Sequence, residues 1–181
     1  SIGINAGMLI GHNRVRDAVM GCVNKYADDF ELEKMKKIVR DEMRQGAFGM
    51  STGLIYIPGA YCETKEIREL CKVVREYGGI YTSHLRNVGD GIMEAIDEAS
   101  DMCRQSDIPV HISHLKVMGK SMWGRSVDAL SKISELQRQG LDITFDQYPY
   151  NATSTTIDAF FPSWALEGNV EDTRQKLEDT G

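Results

Sequence analysis

The feature that most limits what this chain can fold into is a repeat of strand-type and helix-type patterns. Apolar runs of the strand kind begin at Met8, Phe48, Ile80, Pro109 and Leu141, and amphipathic helical stretches separate them. The alternation has a period. Ser83-His84-Leu85 recurs as Ser113-His114-Leu115, and Asp146 follows at a similar interval; the step matches the roughly 30 residues of one βα unit. Helical spacing places Leu32, Met35, Ile38, Val39 and Met43 on one face of a helix over 31–45, stopped by Gly46. Thr64 reads as the cap of a helix with Ile67, Leu70, Cys71 and Val74 inward, closed by Gly78-Gly79. A helix over 90–105 buries Ile92, Ile96, Ala99 and Cys103, and one over 126–139 turns Val127, Leu130, Ile133 and Leu136 inward before Gly140.

Strands alternating with helices predict an α/β fold with a parallel, helix-covered sheet. An open doubly wound sheet shares the alternation, but no Gly-rich phosphate loop follows the first strand. A (β/α)8 TIM-type barrel fits better, since each unit delivers polar residues at the C-terminal end of its strand, where such barrels carry their sites. About five βα units fit in 181 residues, whereas a whole barrel takes about 250. The expectation is therefore an internal piece of a longer protein. Residues 1–159 are expected to form the central part of the catalytic barrel, and 160–181 to begin a following helical segment or insertion.

Composition narrows the partners. With 21 basic and 27 acidic side chains the net charge is −6, which disfavours an electrostatic grip on nucleic acid or a membrane surface. No apolar run approaches the ~18 residues of a membrane span. Cys22, Cys62, Cys71 and Cys103 are far apart and form no C-x-x-C pair, so they read as reduced thiols in a cytoplasmic protein.

His84 and His114 are the leading chemical candidates. Equivalent positions in two successive repeats point to the same side, and two imidazoles from neighbouring strands suit a zinc-type ion. The competing reading is two histidines that hydrogen-bond within a polar pocket. His111, three residues before His114, is predicted to face the helix layer as a structural residue. His12 ends the first strand and stands between a pocket and a loop role. Asp146 reads equally as a general base and as the partner of a neighbouring strand-end base. Arg86 and Lys116, each two residues past a candidate histidine, suit an anionic substrate such as a carboxylate. No G-x-S-x-G elbow occurs, which argues against a serine hydrolase.

Several long motifs carry a resemblance. These are GINAGMLIGHNRVRDAVMG (3–21), GAFGMSTGLIYIPGAYCETKEI (46–67), GGIYTSHLRN (78–87), PVHISHLK (109–116), the Trp123-Gly124 pair and GLDITFDQYPYNATST (140–155). Together they resemble the N-acyl-D-amino-acid deacylases, the D-aminoacylase branch of the metal-dependent amidohydrolase superfamily. The resemblance implies a distorted barrel with one or two Zn2+ per full-length site, with His84 and His114 as metal ligands. It implies substrate contacts at Tyr56, Lys116, Tyr148 and Ser154, beside Arg86, and hydrolysis of N-acyl-D-amino acids to a carboxylate and a free D-amino acid. The family's HxH pair, its ligating cysteine and its acid/base aspartate have no counterpart here, so no catalytic residue is assigned and the chain alone is expected to be inactive. Val88 stands where relatives often carry an acidic residue. The rival expectations are an amidohydrolase of cyclic amides, dihydroorotase- or hydantoinase-like, and a non-catalytic chain that self-associates through open strand edges.

Overall fold

A computed structural model describes residues 3–161, 163–168 and 170–178. Five strands, β1 (Leu9–Gly11), β2 (Gly49–Gly53), β3 (Ile80–His84), β4 (Val110–Ile112) and β5 (Ile143–Phe145), form one parallel sheet in the order β1-β2-β3-β4-β5. Between them run α1 (His12–Met20), α2 (Asp29–Arg44), α3 (Thr64–Glu76), α4 (Ile92–Ser106) and α5 (Ser126–Arg138), and α6 (Val170–Glu178) follows. Strand order that follows chain order is the wall of a (β/α) barrel; a doubly wound sheet reverses at a switch point. The class is α/β, a segment of a barrel.

The strands are buried on one face. Register pairs Met50 with Tyr81, Tyr81 with Val110 and Val110 with Ile143. These residues pack against Ile67, Leu70, Ile96 and Ile133 of the helices. Each fully buried side chain of this kind contributes about 1.5–3 kcal/mol, and the layer they form fixes where the other face of the sheet points. β2 and β3 also approach closely, because a Cβ on Gly49 would lie 2.0 Å from the Ile80 carbonyl oxygen.

Local chemistry sets the helix ends. Asp28 caps α2 through a reciprocal box: its carboxylate accepts the Glu31 N–H at 2.8 Å, and the Glu31 carboxylate accepts the Asp28 N–H at 3.0 Å. Gly46, Gly78 and Gly140 all take positive φ after their helices, as expected of stop residues. Three expectations are corrected. Thr64 is the first helical residue and caps nothing; its hydroxyl donates to Glu98 at 2.8 Å. Val127 and Leu130 are 64% and 43% exposed, because Ala129 takes the inward place at the start of α5, while Ile133 and Leu136 are buried as expected. The long strand runs are cut to three to five residues, and their remainders become loops at the C-terminal ends of the strands. Those loops carry most of the candidate site.

Candidate active site

His84 is the last residue of β3, on the face of the sheet turned away from the helices. Its Nδ1 stands 2.9 Å from His114 Nε2, with the rings edge-on at 4.4 Å between centroids. Counting by twos along β4 would send His114 towards the helices, beside Ile112. The backbone prevents this, because His114 sits at φ +44, in the left-handed region that non-glycine residues rarely occupy. The kink ends the alternation and returns the imidazole to His84.

The same register corrects His111. It pairs with Thr82 on one side and Thr144 on the other, so it lies on the face away from the helices. Its Nδ1 meets the Thr144 hydroxyl at 2.8 Å and its Nε2 meets Asp146 at 2.9 Å. The other oxygen of Asp146 accepts the His114 N–H at 2.5 Å. Asp146 is thus the partner of a strand-end base, and it also pins the strained backbone of His114. Hydrogen bonding from His111 and from that N–H holds its carboxyl below the usual range.

A cavity of about 620 Å³ opens over the two histidines, and Tyr56, Arg86, Lys116, Tyr148 and Ser154 all line it. The Lys116 ammonium lies 2.9 Å from His114 Nδ1 and 5.8 Å from the centre of the Tyr148 ring. The Tyr56 hydroxyl pairs with Thr155 at 2.9 Å, and its ring meets His84 edge-on. Arg86 is differently placed: its guanidinium forks onto Glu98 at 2.9 Å and also reaches the carbonyls of Ala60 and Cys62. It braces the loop to α4, with its charge already paired. No Asp or Glu lines the cavity among the described residues.

The pair fits a transition-metal ion. Nitrogens 2.9 Å apart can both reach one cation at the usual 2.0–2.1 Å. His84 Nε2 is buried and has no hydrogen-bond partner, so the ring is placed by its Nδ1 contact with His114 and its edge-on contact with Tyr56. Burial, then the neighbouring His114 and Lys116, push His84 down to about 4; burial and Lys116 lower His114. Both rings are therefore neutral near pH 7, the form a metal requires.

His12 is corrected too. It opens α1, fully buried, and its Nε2 pairs with Glu66 of α3 at 2.7 Å. The second Glu66 oxygen takes the guanidinium of Arg16, which also donates to the Lys25 carbonyl. Cys62 completes a set of three donor groups within 4.8 Å of one another. Burial pushes its thiol up to about 11, so it stays protonated. Arg16 already supplies the cation that balances Glu66. Nothing in the sequence joins residues 12, 16, 62 and 66, and the cluster was not expected.

Sheet order defines the wall of a (β/α) barrel, with two histidines brought together at the C-terminal ends of its strands. No family model matches the chain. It is 41% identical over 155 residues to a D-aminoacylase and 35% identical over 154 residues to an N-acyl-D-glutamate deacylase, both from Alcaligenes xylosoxydans xylosoxydans. Each match takes in 85% of this chain and 32% of the relative. A crystal structure of D-aminoacylase superposes with a TM-score of 0.78 at 39% identity, over 81% of this chain and 31% of that one. An N-acyl-D-glutamate deacylase from Bordetella bronchiseptica, solved with zinc and a phosphonate mimic of the tetrahedral intermediate, gives 0.77 at 35%, with the same coverage. The chain is similar to N-acyl-D-amino-acid deacylases, and it spans about a third of the length of the relatives it matches. Among the described residues, no helix is long and apolar enough to cross a membrane.

Proposed function

We propose that the protein carrying this chain hydrolyses the amide bond of N-acyl-D-amino acids, releasing a carboxylate and a free D-amino acid. The observation that carries this is the convergence of His84 and His114 at the floor of a cavity that also presents Lys116 and Tyr148. His84 and His114 would hold a zinc ion. Such an ion lowers the pKa of a bound water towards about 7 and polarises the substrate carbonyl.

The other residues position the substrate. In the hydrogen bonding seen here, Lys116 donates to His114 Nδ1, which places the ring proton on Nε2. Were His114 Nε2 to hold the ion, the ring would carry its proton on Nδ1 and would offer Lys116 no acceptor, which would free the ammonium. The ammonium is then available to the substrate carboxylate, with the Tyr148 and Tyr56 hydroxyls and Ser154 as neutral donors around it. The group that moves the proton comes from outside this chain, so 1–159, as the central part of the barrel, supplies binding and half of the metal site. Four free thiols suit a cytoplasmic home. β1 and β5 each have one neighbour, so the isolated chain offers two strand edges to another copy, which size-exclusion chromatography would detect.

The test is release of free amine by the whole protein from N-acetyl-D-methionine and its L-enantiomer. Chelation and His84→Ala should each abolish turnover. Equal rates on D and L would overturn the stereochemical part, and faster hydrolysis of a hydantoin would favour the cyclic-amide reading.

A further inference from the structure

Arg86 lines the cavity, but its hydrogen bonds run along the cavity wall, to α4 and to the loop between β2 and α3. We infer, building on the proposed hydrolysis, that Arg86 is a positioning residue. It locks that loop so that Tyr56 is presented against His84, and it acts on the reaction through Tyr56 without touching substrate.

The contacts trace a short path. Arg86 Nε and Nη2 fork onto the two oxygens of Glu98, each at 2.9 Å. Nη1 donates to the Ala60 carbonyl at 3.2 Å and Nη2 to the Cys62 carbonyl at 3.3 Å. The Ala60 N–H donates in turn to the Tyr56 carbonyl at 2.8 Å, so a single residue stands between the guanidinium and the backbone of Tyr56. Glu98 also accepts the Thr64 hydroxyl at 2.8 Å, which fixes where the loop enters α3. The pattern uses donors in a planar fork, which the ammonium of a lysine does not reproduce.

The other side of the loop is held separately. The Asn13 amide donates to the Ile57 carbonyl at 3.3 Å, and Glu66 in the first turn of α3 is gripped by His12 and Arg16. The chain that follows Tyr56 is therefore clamped between α1 and Arg86. At the head of the loop the Leu54 N–H donates to the His84 carbonyl at 3.3 Å, and Arg86 leaves the chain two residues after His84. Two links thus set Tyr56 and the candidate metal ligand relative to one another. A misplacement of about 1 Å at such a group can cost about a hundredfold in rate.

The experiment is a double-mutant cycle in the zinc-loaded whole protein, with Arg86→Lys and Tyr56→Phe made singly and together. The substrate is whichever of N-acetyl-D-methionine, N-acetyl-D-glutamate and N-acetyl-D-aspartate the wild type hydrolyses fastest. Fluorine NMR of a fluorotyrosine placed at position 56, or at position 148 as control, reports the geometry without turnover. Arg86→Lys should lower kcat/KM about ten- to a hundredfold at unchanged zinc content, but by roughly threefold or less when Tyr56 is already phenylalanine. It should shift or broaden the resonance from position 56 and leave the one from position 148 in place. Glu98→Gln, which loosens the fork and keeps the arginine, should act in the same way to a smaller extent, and it takes the place of Arg86→Lys if that variant does not fold. Equal losses in both backgrounds, or an unmoved resonance at position 56, overturn the inference and leave the deacylase reading standing. Hydrolysis of none of the three substrates overturns both.

Discussion

Two polar clusters lie at the edges of the same layers, and they are opposites. His12, Arg16, Cys62 and Glu66 are sealed between α1 and α3, and one guanidinium meets one carboxylate so that the charges cancel. His84, His114 and Lys116 stand at an open cavity that no Asp or Glu lines among the described residues, with a ring nitrogen left unpartnered. The first has the composition usually associated with a metal site but already contains its cation. The second has no carboxylate among the described residues lining its cavity, yet it is the one that a cation would complete. Donor identity alone does not separate a structural knot from a site; charge balance does.

The comparison breaks most decisively at the metal pair. His84→Ala in the whole protein should cost at least ~10³-fold in turnover, through loss of the ion that activates water, with little change in unfolding free energy. Zinc retained after dialysis, measured by elemental analysis, must fall with it. The sealed cluster should behave in the reverse way. Arg16→Met leaves Glu66 buried and unpaired and should cost about 3–5 kcal/mol of stability by urea unfolding, while zinc content per folded chain stays unchanged. Lost zinc at normal stability in Arg16→Met would put the metal in the wrong cluster.

A middle-sized effect is expected at Asp146, which touches neither cluster's centre but pins His114. Asp146→Asn should weaken zinc affinity about 10–100-fold, as loss of a supporting partner does, and double substitution with His111→Gln should add little. The smallest effect is in pH. His84 is held down at about 4, below the roughly 6.5 of an unfolded histidine. The unfolded chain therefore binds the extra proton first, and stability of the metal-free chain should fall as pH drops from about 6.5 to about 4 and then level off. His84→Asn should flatten that slope in urea titrations run with chelator. An unchanged slope would mean that other groups set it.

Most of the sheet was legible because the evidence for it is periodic and local. Runs such as IYTSH and the stripes through Ile67, Leu70 and Val74 state their own period, and the stops at Gly46 and Gly140 punctuate it. The candidate histidines were legible for the same reason, as a repeat. The faces of β4 were not. Parity assigned His111 to the helices and joined His114 to His84 by an alternation that the chain does not follow, since one left-handed residue breaks the count. The sealed cluster was illegible in principle: its members lie on two helices and a loop up to 54 residues apart, brought together only by packing. Arg86 shows the same limit, because its position suited a substrate anion and Glu98, twelve residues on, takes its charge.

The left-handed turn at His114 bears on how the site can be redesigned. At that backbone conformation only glycine and, among side chains that could serve, asparagine, aspartate and histidine are tolerated at modest cost. Position 84 lies on a regular strand and carries no such restriction. Attempts to change which ion the pocket prefers by exchanging ligand types, a thiolate or a longer carboxylate for an imidazole, therefore have one usable position in this chain, and it is 84.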